Sequence, residues 1–222
     1  MQSDLSSYID HTLLKPDATS DQILKTCNEA IEHNFFGVCV NSLFIPQVVN
    51  QLRRSPVAAV AVIGFPLGAM STEAKAFEAS WCVKNGAKEI DMVIAIGKLK
   101  DRDVDYVRSD IRAVVQAAAP AKVKVIIETS LLNTDEKKLA CTLSKEAGAH
   151  FVKTSTGFNG GGATVEDIQL MRAAVGSEMG VKASGGIKNS EQAWALIKAG
   201  ATRLGTSSGI SLIEGKSSQG GY

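Results

Sequence analysis

Two segments each set a lysine at the end of a short apolar run that stops at glycine: Phe151-Val152-Lys153-Thr154-Ser155-Thr156-Gly157 and Val181-Lys182-Ala183-Ser184-Gly185-Gly186. A solvated lysine, with a pKa of about 10.4, is almost wholly protonated at neutral pH and is a poor nucleophile. Burial or a second nearby cation disfavours the charged form, and a neutral amine can then attack a carbonyl and form a Schiff base. Two lysines converging at the mouth of one sheet supply both effects. The competing reading is that each lysine snorkels from a strand end into solvent. A third group fits the first reading: Asp91, inside Glu89-Ile90-Asp91-Met92-Val93-Ile94, is a carboxylate in an apolar strand and needs a partner there. The lysines are available cations, so Asp91 is expected either to shuttle protons or to serve as a purely structural ion pair.

Ser184-Gly185-Gly186 and Gly205-Thr206-Ser207-Ser208 offer bare backbone N–H groups and hydroxyls suited to a phosphate, and Gly157 adds a third loop. Lys188 can reach the same anion as a point charge. The alternative is that these glycines only permit tight turns. Asp10 and Thr12 end a candidate first strand and either line the site or lead into a helix. Gly64-Phe65-Pro66-Leu67-Gly68-Ala69 reads as a shaped loop without chemistry, and Met92, Trp81 and Trp194 as packing residues.

These groups must be positioned by alternating elements. Candidate strands run over 8–12, 36–40, 57–64, 89–94, 123–128, 151–154, 180–183 and 203–205, with helical periodicity over 21–32, 72–84, 104–118, 134–146, 165–175 and 190–198. Val57 to Ile63 is apolar on both faces, as a covered parallel strand requires. Asn85-Gly86-Ala87, Ala147-Gly148-Ala149 and Ala199-Gly200-Ala201 each close a helix and open a strand, and five residues beyond their glycines stand Asp91, Lys153 and Gly205. Their spacing skips one βα unit each time, which makes them strands four, six and eight of eight. The expected fold is a single-domain (β/α)8 TIM barrel over 1–214 with a flexible tail over 215–222, and Asp91 and Lys153 share an interior layer at its catalytic rim. An open doubly wound sheet is disfavoured, because no Gly-x-Gly-x-x-Gly turn follows the first strand.

Composition excludes other classes. The 222 residues carry a net charge of +1, with 45% hydrophobic and 21% charged residues, so no global field draws in nucleic acid or an anionic membrane. No run approaches the ~18 apolar residues of a membrane span, and Met1-Gln2-Ser3-Asp4-Leu5 lacks a signal-peptide pattern. A cytoplasmic location is therefore expected. Cys27, Cys39, Cys82 and Cys141 are far apart and read as reduced core thiols; neither they nor His11, His33 and His150 show metal-ligand spacing.

Through Ile9-Asp10-His11-Thr12, Val38-Cys39-Val40-Asn41, Gly64-Phe65-Pro66-Leu67-Gly68, Glu89-Ile90-Asp91-Met92-Val93, Ile127-Glu128-Thr129, both lysine segments and Gly205-Thr206-Ser207-Ser208, the chain resembles the 2-deoxyribose-5-phosphate aldolases. The resemblance implies a (β/α)8 barrel without metal or organic cofactor that cleaves 2-deoxy-D-ribose 5-phosphate to D-glyceraldehyde 3-phosphate and acetaldehyde. It implies Lys153 as the Schiff-base lysine, Lys182 as the cation that keeps it deprotonated and Asp91 as the acid/base. Phosphate would sit at Gly157, Gly185, Gly186, Gly205, Ser207 and Ser208. Tyr222 would be an accessory proton donor, as a terminal tyrosine is in some relatives, and the assembly a homodimer or larger. Relatives often carry arginine at Lys188 and asparagine at Ala95. Lysine keeps the charge but not the bidentate fork, and Ala95 removes a polar contact. Two rival readings are a phosphosugar isomerase, which uses a carboxylate base and forms no trappable imine, and a non-catalytic sugar-phosphate-binding protein, which binds ligand and turns nothing over.

Overall fold

The computed structural model describes residues 4–217. Eight strands, β1 (Ile9–Leu13), β2 (Gly37–Asn41), β3 (Ala58–Ile63), β4 (Glu89–Val93), β5 (Lys122–Ile126), β6 (Phe151–Lys153), β7 (Gly180–Ser184) and β8 (Arg203–Thr206), pair in parallel in sequence order and close into a barrel through β1 and β8. Helices α1 (Ser20–Glu32), α2 (Ile45–Leu52), α3 (Thr72–Lys84), α4 (Ile96–Lys100), α5 (Val104–Ala118), α6 (Thr134–Glu146), α7 (Val165–Val175), α8 (Ser190–Lys198) and α9 (Gly209–Ile213) follow in turn. Periodicity misses α2, α4 and α9, which span eight, five and five residues. So few turns leave little periodic signal. No helix among the described residues is long and apolar enough to cross a membrane.

Alternation along each strand sends every second side chain outward. Val38, Val40, Ala61, Ile63, Ile90, Met92, Val123, Val125, Val152, Val181 and Leu204 form the buried layer between barrel and helices. The interior is different. Leu14, Cys39, Val60 and Val62 make a small separate apolar cluster, while Asp10, Glu89, Asp91, Lys124, Lys153, Lys182 and Arg203 are buried at the alternate positions of the other strands. At the base Phe151 lies against β7, where a Cβ on Gly180 would stand 2.1 Å from its ring, so only glycine admits it. Gly86, Gly148 and Gly200 have φ of 100°, 84° and 120° just past α3, α6 and α8, the left-handed caps expected from the repeat.

The helices are held by polar devices as well as by apolar burial. Thr19 with Gln22, and Asn133 with Glu136, close reciprocal capping boxes at the starts of α1 and α6. Between α3 and α5, Lys75 Nζ donates to Asp110 Oδ2 at 2.7 Å and Thr72 Oγ1 to Asp110 Oδ1 at 2.8 Å, with both charged side chains fully buried. Lys75→Met leaves the Asp110 charge buried and uncompensated, and is expected to lower unfolding free energy by about 3–5 kcal/mol in urea titration. The double variant Lys75→Met/Asp110→Leu is expected to recover most of that loss; equal losses in both would trace the effect to packing. Trp81 corrects an expectation: it is 37% exposed on α3 beside Phe77, and so does not pack in the core. Helical spacing alone cannot tell an inward apolar stripe from an outward one. Met92 is fully buried, and Trp194 is half-buried with its ring edge-on to Tyr8.

Candidate active site

β6 and β7 run in register with Lys153 opposite Lys182, and β4 brings Asp91 between them. Lys153 Nζ lies 2.9 Å and Lys182 Nζ 2.8 Å from the same oxygen, Oδ2 of Asp91. The other oxygen, Oδ1, accepts from Lys124 Nζ at 2.7 Å. Lys182 also contacts Asp10 Oδ2 at 2.5 Å, and Arg203 bridges Asp10 Oδ1 at 3.0 Å and Glu89 Oε2 at 2.8 Å. Lys124 closes the ring on Glu89. The interior therefore holds four cations, Lys124, Lys153, Lys182 and Arg203, against three carboxylates, Asp10, Glu89 and Asp91.

Charge balance is reached when one cation is neutral, and the environments select Lys153. Burial disfavours its charge and the Lys182 ammonium adds to that, so its pKa is lowered despite the pull of Asp91. Lys182 is equally buried, yet Asp10 and Asp91 together outweigh burial and hold it well above the ordinary lysine range. Burial also opposes the charge of Asp91, but Lys124, Lys153 and Lys182 outweigh it and keep the carboxylate well below its usual range. Asp10 is lowered in the same way by Lys182 and Arg203. Exposure agrees with this division: the Lys153 side chain is 3% exposed, those of Lys182 and Asp91 not at all. The amine that loses its proton most readily is also the one that touches solvent.

Lysine and carboxylate are joined as the sequence leads one to expect, while Asp10, Glu89, Lys124 and Arg203 enlarge the cluster beyond it. Their signal was present as Glu89-x-Asp91 and Lys122-Val123-Lys124-Val125, charges at alternate strand positions. Such alternation ordinarily marks a face in water. Here it marks a polar barrel interior.

Above the amines the three glycine loops converge. Gly157, Gly185 and Gly186 have φ of 87°, 83° and 72°. The β6 and β7 loops meet where Ala163 N–H donates to Gly185 O at 3.0 Å, and a Cβ on Gly185 would stand 3.2 Å from Gly162 Cα. Gly205 pairs with Asp10 on one side and Ser184 on the other, and Ser208 N–H donates to Thr206 Oγ1 at 3.0 Å at the start of α9. Ser207 and Lys188 are exposed. Thr12 is buried two residues past Asp10 and donates to the Asp10 carbonyl at 2.8 Å. Glu128 is a functional candidate the residue pattern did not single out. At φ 56° it points its buried carboxylate at the β6 loop, accepting from Thr156 N–H at 3.2 Å, from Thr156 Oγ1, and from Asn159 Nδ2 at 2.9 Å. It thus clamps the loop that carries Gly157. Tyr222 lies outside the described residues.

The thiols stand apart from this chemistry. All four cysteines are unpaired and buried, and burial pushes Cys27, Cys82 and Cys141 up to about 12, so they are inert as nucleophiles.

Comparison with known proteins converges on one family. Residues 5–212 match the model of the DeoC/LacD family aldolases. A deoxyribose-phosphate aldolase of Bdellovibrio bacteriovorus is 65% identical over 218 residues, covering 98% of this chain and 99% of that protein. One from Thermococcus gammatolerans is 57% identical, covering 96% of each. The tetrameric deoxyribose phosphate aldolase of Aeropyrum pernix superposes with a TM-score of 0.89 at 33% identity, covering 95% of this chain and 89% of that one.

Proposed function

The chain belongs to the DeoC/LacD family of aldolases, and from that premise we propose that it reversibly cleaves 2-deoxy-D-ribose 5-phosphate to D-glyceraldehyde 3-phosphate and acetaldehyde through a Schiff base on Lys153. The observation that carries this reading is the single carboxylate oxygen shared by two lysines of opposite protonation tendency.

The neutral Lys153 amine attacks the C1 aldehyde. As nitrogen bonds to carbon it loses a proton to Asp91 Oδ2, the acceptor already 2.9 Å away. Loss of water from the carbinolamine gives an iminium, which takes up the C2–C3 bonding electrons when the C3 hydroxyl proton is removed. Glyceraldehyde 3-phosphate leaves. The enamine is then protonated at carbon, and hydrolysis returns acetaldehyde and the free amine. Lys182 stays an ammonium throughout, anchored by Asp10, and discourages Lys153 from holding a proton. Gly157, Gly185, Gly186, Gly205, Ser207 and Ser208 are the proposed phosphate cradle, with Lys188 as a point charge and Thr12 at the rim. Tyr222 is retained as an accessory proton donor.

The reading extends to a cytoplasmic homo-oligomer. Leu43 and Phe77 are 75% and 72% exposed around an apolar groove with Trp81, a surface that a second copy would cover.

Borohydride with acetaldehyde is expected to leave one ethyl group on Lys153, found by peptide mass spectrometry. Folded protein that takes up no label, or takes it up at other lysines only, would reject the mechanism. An isomerase or a binding protein leaves no adduct at all.

A further inference from the structure

We infer that the hydroxyls of Ser155 and Ser184 form a subsite that reads the C4 alcohol of the sugar, and so set a preference for hydroxylated aldehyde acceptors. This rests on the aldolase reading above.

Ser184 is two residues past Lys182 in β7 and pairs with Gly205. Ser155 is two residues past Lys153, where the chain stays paired to its neighbour beyond β6. Thr154 N–H donates to Lys182 O at 3.1 Å, and Thr154 Oγ1 both donates to Ser184 O and accepts from Ser184 N–H at 3.0 Å. Residues two apart in extended backbone share a face. The two serines therefore stand on the lysines' side of the wall, one step nearer the mouth.

Both side chains are fully buried, and neither Oγ has a hydrogen-bond partner among the described residues. Leaving a buried hydroxyl unpaired is costly, so a pair of them on one interior face is a standing site for hydroxyl ligands. The neighbours locate it. A Cβ on Gly205 would lie 2.4 Å from Ser184 Oγ and 3.0 Å from Lys182 Cε, and one on Gly185 would lie 3.7 Å from Ser155 Cβ and 3.8 Å from Gly157 Cα. The serines thus sit between the amine layer and the glycines of the phosphate cradle. A sugar bound at C1 to Lys153 and held by a C5 phosphate must cross that layer with C3 and C4, the two carbons that carry alcohols. The other orphaned atom, His11 Nδ1, lies beside Phe35 and Gly209 and takes no part.

In the synthesis direction the acceptor aldehyde supplies the C4 alcohol. Glyceraldehyde 3-phosphate is therefore compared with 3-phosphooxypropanal, the same chain and phosphate without that hydroxyl, each with acetaldehyde as donor. Ser155→Ala and Ser184→Ala are each expected to lower kcat/KM for the hydroxylated acceptor about five- to tenfold, leaving the deoxy acceptor within about twofold. The double variant approaches indifference between the two. Equal losses on both acceptors, or an unchanged ratio, overturns the subsite. Because both single variants carry the test, it does not depend on the double variant folding. Acetaldehyde has no hydroxyl, so borohydride labelling of Lys153 should persist in all variants. Absence of labelling in the parent protein defeats the aldolase reading instead, and its loss in the variants alone defeats the subsite.

Discussion

Lys182→Leu is expected to reduce turnover at pH 7 by up to about a thousandfold and to move the acid limb of the pH–rate profile to higher pH. With all four interior cations charged, the barrel carries one positive charge more than Asp10, Glu89 and Asp91 can balance, and the strain falls on Lys153. Removing the Lys182 ammonium leaves three cations for three carboxylates, so Lys153 can stay protonated without penalty. An amine with the ordinary lysine pKa is neutral in fewer than about one molecule in a thousand at pH 7. Activity should then recover about tenfold per pH unit until the amine titrates. Lys182→Arg, which keeps the charge, separates electrostatics from packing: its pH profile should stay near the parental one even where its rate falls. A leucine variant with an unshifted acid limb would show that Lys182 acts only as a brace for Asp10.

That balance explains why the proposed catalytic trio was legible in the sequence and its surroundings were not. Lys153, Lys182 and Asp91 each interrupt an apolar run, and the glycine repeat with the strand count places them on strands six, seven and four, so their meeting follows from barrel geometry. Lys124 and Arg203 offered no such contrast. Lys124 sits in a Lys-Val-Lys-Val pattern in which Lys122 is exposed, and only the closed barrel decides that its neighbour two residues on faces inward. Asp10 was ambiguous for a similar reason: the end of a first strand can equally lead into a helix. Ser155 looks like an ordinary strand-end serine and Ser184 like part of a phosphate loop until burial and missing partners are known. Helices α2, α4 and α9 escaped because a one- or two-turn helix is set by its neighbours rather than by its own period.

Asp91→Asn is expected to lower kcat by about 10²–10⁴, the usual worth of a positioned acid/base, and to destabilise the fold. The amide keeps shape and volume but takes no proton from Lys153 and leaves two carboxylates among four cations. In the parent, Asp91 is held well below the ordinary carboxylate range. Its contribution to stability is therefore present above the unfolded-state pKa, about 3.9, and is lost as pH falls through the lower folded value. The uncharged amide has no such contribution, so the variant should show a flatter loss of stability on acidification. On the alkaline side the surplus cations matter. The folded variant binds fewer protons at its crowded lysines than the unfolded chain does, and stability should rise as pH approaches the lysine range, which urea titrations at pH 7 and pH 9.5 would register. Because the amine gains neutral character in the same variant, borohydride with acetaldehyde should still label Lys153, slowly, while catalytic turnover is lost. Turnover within about tenfold of the parent would remove Asp91 from proton transfer and leave it only the electrostatic part.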